Sequence, residues 1–202
     1  MEWPKPVSLH GEKVSIVPLD HAHLAGLQKA SADGELHRLW YTKIPAPEAV
    51  AAHIERCLEQ RKAGSMLPFT VIERVTDQIA GMTTYLNVDA ANKRLEIGGT
   101  WYRQSAQRTG LNTECKYLLL KHAFEELACN AVEFRTHYLN QQSRRAIERL
   151  GAKFDGILRA HMVMPNGTIR DTAVYSVIAG EWPTVKANLT WLMEKPAVSS
   201  RP

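Results

Sequence analysis

Gln107-Arg108-Thr109-Gly110-Leu111-Asn112-Thr113 joins two segments of different period, and the fold is read outward from it. Before it, residues 95–102 (Leu-Glu-Ile-Gly-Gly-Thr-Trp-Tyr) read as a strand. The adjacent Gly98 and Gly99 predict a bulge there, or a close approach to the backbone. After it, residues 113–127 carry Cys115, Leu118, Leu119 and Ala123 on one side and Leu120, Phe124 and Leu127 on another, a helix with a wide apolar face. The first N–H groups of a helix lack intrahelical partners and sit at the positive end of its dipole. The loop is therefore suited to an anion such as a pyrophosphate. Gly110 allows close approach, Arg108 adds a charge, and Thr109 and Thr113 add hydroxyl donors. The plain alternative is an ordinary loop capped by Asn112 or Thr113.

Upstream, residues 13–18 read as a first strand and 21–31 as a helix capped by Asp20. Pro47 opens a second helix with Val50, Ile54, Cys57 and Leu58 on one stripe and Gly64 past its end. Strands are expected over 67–73 and 79–86. Downstream come a strand over 131–138 and a short helix over 143–150 ended by Gly151. A hairpin of 159–164 and 168–178 follows, turned by Pro165-Asn166-Gly167. The resulting β-α-α-β-β-β-α-β-α-β-β order excludes a simple doubly wound sheet and fits an α/β (α+β) sandwich around a mixed sheet. One domain over 1–202 is expected, with a core over about 9–180, a helix over 181–194 and a loose tail over 195–202. Residues 1–8, with Pro4 and Pro6, also read as loose.

Composition narrows the function. A net charge of +4 permits an anionic ligand without requiring nucleic acid, and no basic stripe alternates with stacking aromatics, so nucleic acid is not the expected partner. Cys57, Cys115 and Cys129 are odd in number and lack ligand spacing. Neither a disulfide framework nor a metal is expected, and the cytoplasm is the expected location. No secretory signal or long uncharged apolar stretch is present, so no membrane span is expected.

Two motifs carry a resemblance. Gln107-x-x-Gly110-x-Asn112, between strand and helix, resembles the acetyl-CoA motif R/Q-x-x-G-x-G/A of the GNAT superfamily; Asn112 stands where glycine or alanine is usual. Asn140-x-x-Ser143-x-x-x-Ile147-x-x-x-Gly151-Ala152 resembles the second signature of the branch that includes the RimJ and RimL protein acetyltransferases. The motifs stand one helix and one strand apart, as in that family, and the order of elements matches over about residues 9–180. The resemblance implies a mixed, mostly antiparallel twisted sheet flanked by helices and splayed between its fourth and fifth strands. It implies acetyl transfer from acetyl-CoA to a primary amine by direct attack, the acceptor being a protein or peptide N-terminus or a small molecule. Pantetheine would pair with the backbone near Trp101 and Tyr102, and the pyrophosphate would lie on Arg108, Thr109, Gly110, Leu111, Asn112 and Thr113 after Gln107.

Three side chains are catalytic candidates. Glu96 is the first candidate base, with an exposed strand residue paired to Lys93 or Arg94 as the alternative. Ser143 is the candidate proton donor to the departing thiolate, or simply a first-turn serine. Asn140 would hold pantetheine or the thioester, or cap the helix, or both. Tyr138 is a second candidate donor with packing as its alternative, and Arg144 and Arg145 are candidate phosphate contacts or a solvated face. His137 and His161 are candidate relays or structural histidines. Trp40, Tyr41 and the hairpin near Asn166 are candidate acceptor contacts. A non-catalytic acyl-CoA sensor is the competing function, and a homodimer is the expected assembly if the chain associates.

Overall fold

Eight strands build one sheet, seen in a computed structural model that describes residues 3–194. Its strands are β1 (Leu9–His10), β2 (Val14–Pro18), β3 (Leu67–Glu73), β4 (Gln78–Asp89), β5 (Arg94–Tyr102), β6 (Ala131–His137), β7 (Lys153–Val163) and β8 (Ile169–Ile178). They lie in the order β1-β2-β3-β4-β5-β6-β8-β7. Every neighbouring pair is antiparallel except β5 and β6. The helices are α1 (Leu24–Ala32), α2 (Val50–Lys62), α3 (Leu111–Lys121), α4 (Gln141–Arg149) and α5 (Trp182–Glu194). The expected fold class is the observed one.

Two apolar clusters sandwich the sheet. One joins Phe69, Tyr85, Phe134 and Tyr175 of the strands to Leu119 of α3 and Leu189 of α5. The other joins Met82 and Trp101 to Leu27 of α1 and Ile54 of α2. Adjacent residues of a strand face opposite ways, so Trp101 enters the second cluster and Tyr102 the first. Burying each large side chain contributes roughly 1.5–3 kcal/mol. Polar contacts then set the position of α3: the Tyr85 hydroxyl donates to the Leu119 carbonyl at 2.7 Å. The buried Glu114 carboxylate accepts from the N–H groups of Glu12 (2.8 Å), Lys13 (2.7 Å) and Val14 (2.9 Å), tying the β1–β2 turn to the first turn of α3. A Cβ on Gly11 would lie 2.5 Å from that carboxylate, which is why the turn carries glycine.

Several boundaries differ from the sequence reading. Helix α3 starts at Leu111 rather than 113, because Gly110 adopts φ +85° as its N-cap and Leu111 is buried as an apolar anchor. Its far end closes through a π turn at His122–Glu126. Asn140 caps α4 at Gln141, two residues early. Strand β7 begins at Lys153, where pairing with Ser176 outweighs a weak local pattern. The N-terminal segment is not loose throughout, since Trp3 and Val7 pack against the larger cluster. The expected tail over 195–202 lies outside the described residues.

Candidate functional site

Strands β5 and β6 pair only at Arg94–Ala131, Leu95–Val132 and Glu96–Glu133. Beyond Glu96 they part, and no strand pairs with β5 on that side among the described residues. On its other side β5 continues against β4, with Thr84 opposite Gly98 and Met82 opposite Trp101. The extra residue in β5 makes the bulge that the paired glycines predicted, and Gly99 takes φ +57°. The gap opens into a cleft of about 1120 Å³, bounded by β5, β6, the start of α3 and α4.

A buried ammonium braces the bulge. Lys116 of α3 donates to Thr100 Oγ1 at 2.6 Å and to Thr83 Oγ1 at 3.1 Å. Burial lowers its pKa to about 8, and no carboxylate pairs with it among the described residues.

At one end of the cleft the backbone makes the site. Gly110 gives α3 an N-cap without a side-chain bond. The Leu111 N–H reaches only Thr109 Oγ1, at 3.4 Å. The N–H groups of Arg108, Thr109, Gly110 and Asn112 have no acceptor among the described residues. Arg108 shares the left-handed region (φ 63°), so the loop curls its donors into a concave row. Gln107, Arg108, Gly110, Asn112 and Thr113 line the cleft, whereas the Leu111 side chain is buried in the core. The Thr109 hydroxyl donates to the Ala106 carbonyl at 2.8 Å, and the Thr113 hydroxyl accepts from Arg149. Gln107 donates to the Tyr102 carbonyl at 3.3 Å, tying the loop to the strand end. The Asn112 side chain lines the cleft with no bond of its own among the described residues.

At the other end, side chains make the site. Glu96 is 6% exposed, which rules out the surface reading. It accepts from Asn87 Nδ2 at 2.7 Å and lies 3.6 Å from Arg135 Nε. Burial dominates and raises its pKa to about 7, against the opposing Arg135 charge and Asn87 bond. A Cβ on Gly98 would lie 2.6 Å from its carboxylate oxygen, so the first glycine of the pair makes room for the acid.

Helix α4 brings two more candidates to the wall. Asn140 Oδ1 accepts from the Ser143 N–H at 3.0 Å, so the capping alternative holds, and both residues line the cleft. Tyr138 and Arg144 do not line it: the Arg144 guanidinium stacks 4.7 Å over the Tyr138 ring and donates to the Tyr175 hydroxyl. His137 Nδ1 accepts from the Leu139 N–H at 3.1 Å, and its buried Nε2 has no partner among the described residues. Tyr41 and His161 line the cleft, as do Arg135, Lys116 and Arg170, which sequence reasoning passed over. For Arg135 the signal was available: Glu133, Arg135 and His137 alternate with buried Val132, Phe134 and Thr136. Among the described residues no group of His, Cys, Asp or Glu side chains is placed to hold a metal ion.

A mixed sheet that opens beside a bulged strand, with a row of free N–H groups at the following helix, is the architecture of an acetyltransferase fold. The chain belongs to the GNAT acetyltransferase family: the model of the acetyltransferase (GNAT) domain matches residues 13–153. A GCN5-related N-acetyltransferase from Brucella melitensis is 33% identical, with 94% of this chain and 86% of that chain covered and a TM-score of 0.82. A Bacillus subtilis (strain 168) protein named "Putative ribosomal N-acetyltransferase YdaF" is 33% identical over 104 residues, 52% of this chain. The match spans 56% of that relative's length. RimJ of Mycobacterium smegmatis, solved in complex with CoA-disulfide, shares the fold at 20% identity (TM-score 0.77, 95% of this chain and 96% of that chain).

Proposed function

We propose that this chain is one catalytic domain that moves an acetyl group from acetyl-CoA to a primary amine, as an N-acetyltransferase of the RimJ/RimL-like branch. The observation that carries this is the open side of β5, running from the free N–H groups of the Arg108–Thr113 loop to the buried Glu96. The unpaired donors and the open strand edge fit a pyrophosphate followed by an extended amide-bearing arm. Arg108, Gly110, Asn112 and the N–H groups from Arg108 to Asn112 would hold the phosphates, while the Thr113 N–H is taken by the Gly110 carbonyl at 3.1 Å. The backbone near Trp101 and Tyr102, together with Asn140, would hold the arm.

Acetyl-CoA supplies an activated thioester; the chain's own groups supply the rest. Glu96, ionised, takes a proton from the incoming ammonium so that the neutral amine can attack. A backbone N–H at the bulge serves the carbonyl oxygen as it gains charge. Ser143 offers a proton to the leaving sulfur, from the first turn of α4. The name of the Bacillus relative supports a protein N-terminus as acceptor, alongside a small-molecule amine. A cytoplasmic location accords with three free, buried cysteines. Homodimer formation accords with exposed apolar side chains on edge strand β7, among them Phe154 and Val163. Among the described residues no helix is long and apolar enough to cross a membrane.

The test is thiol release from acetyl-CoA over a panel of amines. Amine-dependent release at native protein, strongly reduced in Glu96→Gln, is the expected result. Acetyl-CoA binding without release across the panel would instead favour the sensor reading.

A further inference from the structure

Glu96 is the one carboxylate on the cleft wall among the described residues, and the wall around it is cationic. Glu133, Arg135 and His137 share one face of β6 by alternation. Register extends that face sideways, since Glu96 pairs with Glu133 and His137 pairs with Thr172. Arg170 lies two residues before Thr172 on β8, and His161 Nδ1 is 3.0 Å from the Thr172 hydroxyl.

The charges on this face are unequally matched. Arg135 is engaged by Glu133 at 2.8 Å and by Glu96 at 3.6 Å. Arg159 takes Asp171 at 2.6 Å. Arg170 is half-buried and makes one hydrogen bond among the described residues, from Nε to Thr172 Oγ1 at 2.9 Å. No carboxylate lies within ion-pair distance of it there, the Glu96 charge reaching it only at longer range, so its terminal nitrogens keep their fork open. Lys43, also on the wall, has no ion pair among the described residues either. Partial desolvation first, then the Arg135, Arg170 and Lys43 charges, hold the His161 imidazole below its usual range, and all four side chains line the same cleft.

A half-buried guanidinium with an open fork has paired donors to offer an anion that enters the cleft. The phosphates of acetyl-CoA cannot be that anion in the arrangement above. Their cradle follows Tyr102, at the opposite end of β5 from Glu96, roughly 20 Å away at about 3.3 Å per residue. A polycationic amine would meet like charge at Lys43 and Arg170. We infer that the acceptor is an amine carrying its own carboxylate, which the Arg170 guanidinium binds with Lys43 in support, so that the amino group falls to Glu96. This rests on the acetyl-transfer reading and names the substrate class of that site. A free α-amino acid and a peptide with an acidic residue next to its N-terminus share that chemistry.

The experiment compares matched pairs at native protein. One pair is L-methionine and L-methioninamide; the other is the amidated peptides Ser-Asp-Ala-Ala and Ser-Asn-Ala-Ala; spermidine is the cationic control. Thiol release gives kcat/KM, and calorimetry on protein saturated with CoA gives acceptor binding. The carboxylate-bearing member of at least one pair is expected to be preferred by about 10- to 100-fold, the range of a charge-assisted bond. The pair that shows the preference identifies the source of the carboxylate. Arg170→Gln is expected to abolish the preference while still binding acetyl-CoA, which shows that the variant is folded. Equal use of both members of each pair, preference for spermidine, or neither turnover nor binding of any carboxylate-bearing amine would overturn the inference. Absence of acetyl-CoA binding would instead sink the acetyl-transfer reading.

Discussion

The two ends of the cleft are built from different materials. The α3 end is built chiefly from backbone: N–H groups that a left-handed Gly110 leaves free, with the exposed Arg108 and Arg149 and the Lys13 ammonium beside them. The β6–β8 end is side chain: a buried carboxylate with a raised pKa, an engaged arginine and an open one. Backbone donors bind without titrating and hold through many substitutions, whereas buried charges are reactive and costly. Affinity should therefore reside at the first end and chemistry at the second.

The largest expected effect breaks the second end. Glu96→Gln should lower kcat by about 10²- to 10³-fold, the scale of a lost general base. In the native protein the rate should rise with pH through about 7, as Glu96 ionises, and this limb should vanish in the variant. Stability should move the other way. The folded pKa exceeds the usual carboxylate value, so the native state binds the extra proton and loses stability as pH rises from about 4.5 to about 7. Thermal denaturation at pH 8 should show Glu96→Gln more stable by up to about 3 kcal/mol, with the gain gone at pH 4.

A smaller effect breaks the first end. Gly110→Val places a β-branched residue at φ +85°, at a cost of about 1–2 kcal/mol to the loop. Acetyl-CoA affinity measured by calorimetry should fall about tenfold. Lys116→Met sharpens the contrast from between the ends. Lys116 has a lowered pKa, so the native protein gains stability as pH rises from about 8 to about 10.5. The apolar variant should be more stable at pH 7 by about 1–3 kcal/mol, because Thr83 and Thr100 still bond each other at 2.8 Å. Melting curves at pH 7 and pH 10.5 should converge at the higher pH.

The same contrast explains what the sequence made legible. Local signals located the α3 end: a glycine before an apolar helix, and two glycines in a strand. The sheet, with its splay after Glu96, followed from the period of each segment and the family resemblance. Glu96 was read as a candidate base, but its burial was not legible, because it depends on Asn87, Arg135 and Leu86 from neighbouring strands. Lys116 read as one more polar residue on a helix, since nothing nearby in sequence marks the hydroxyls it meets at positions 83 and 100. Arg170 was hidden similarly: its open fork shows only once β6, β7 and β8 are in register. Strand β1 is two residues long and too short to carry a period.

The central claim is that affinity and chemistry lie at opposite ends of one cleft, and titration calorimetry with acetyl-CoA tests it most directly. The native protein, Arg108→Ala and Glu96→Gln would be titrated side by side at pH 7.5. The expected results are micromolar binding to the native protein, a weakening of up to about tenfold in Arg108→Ala, and native-like affinity in Glu96→Gln. Absence of binding to the native protein, or a loss in Glu96→Gln with none in Arg108→Ala, would contradict that claim.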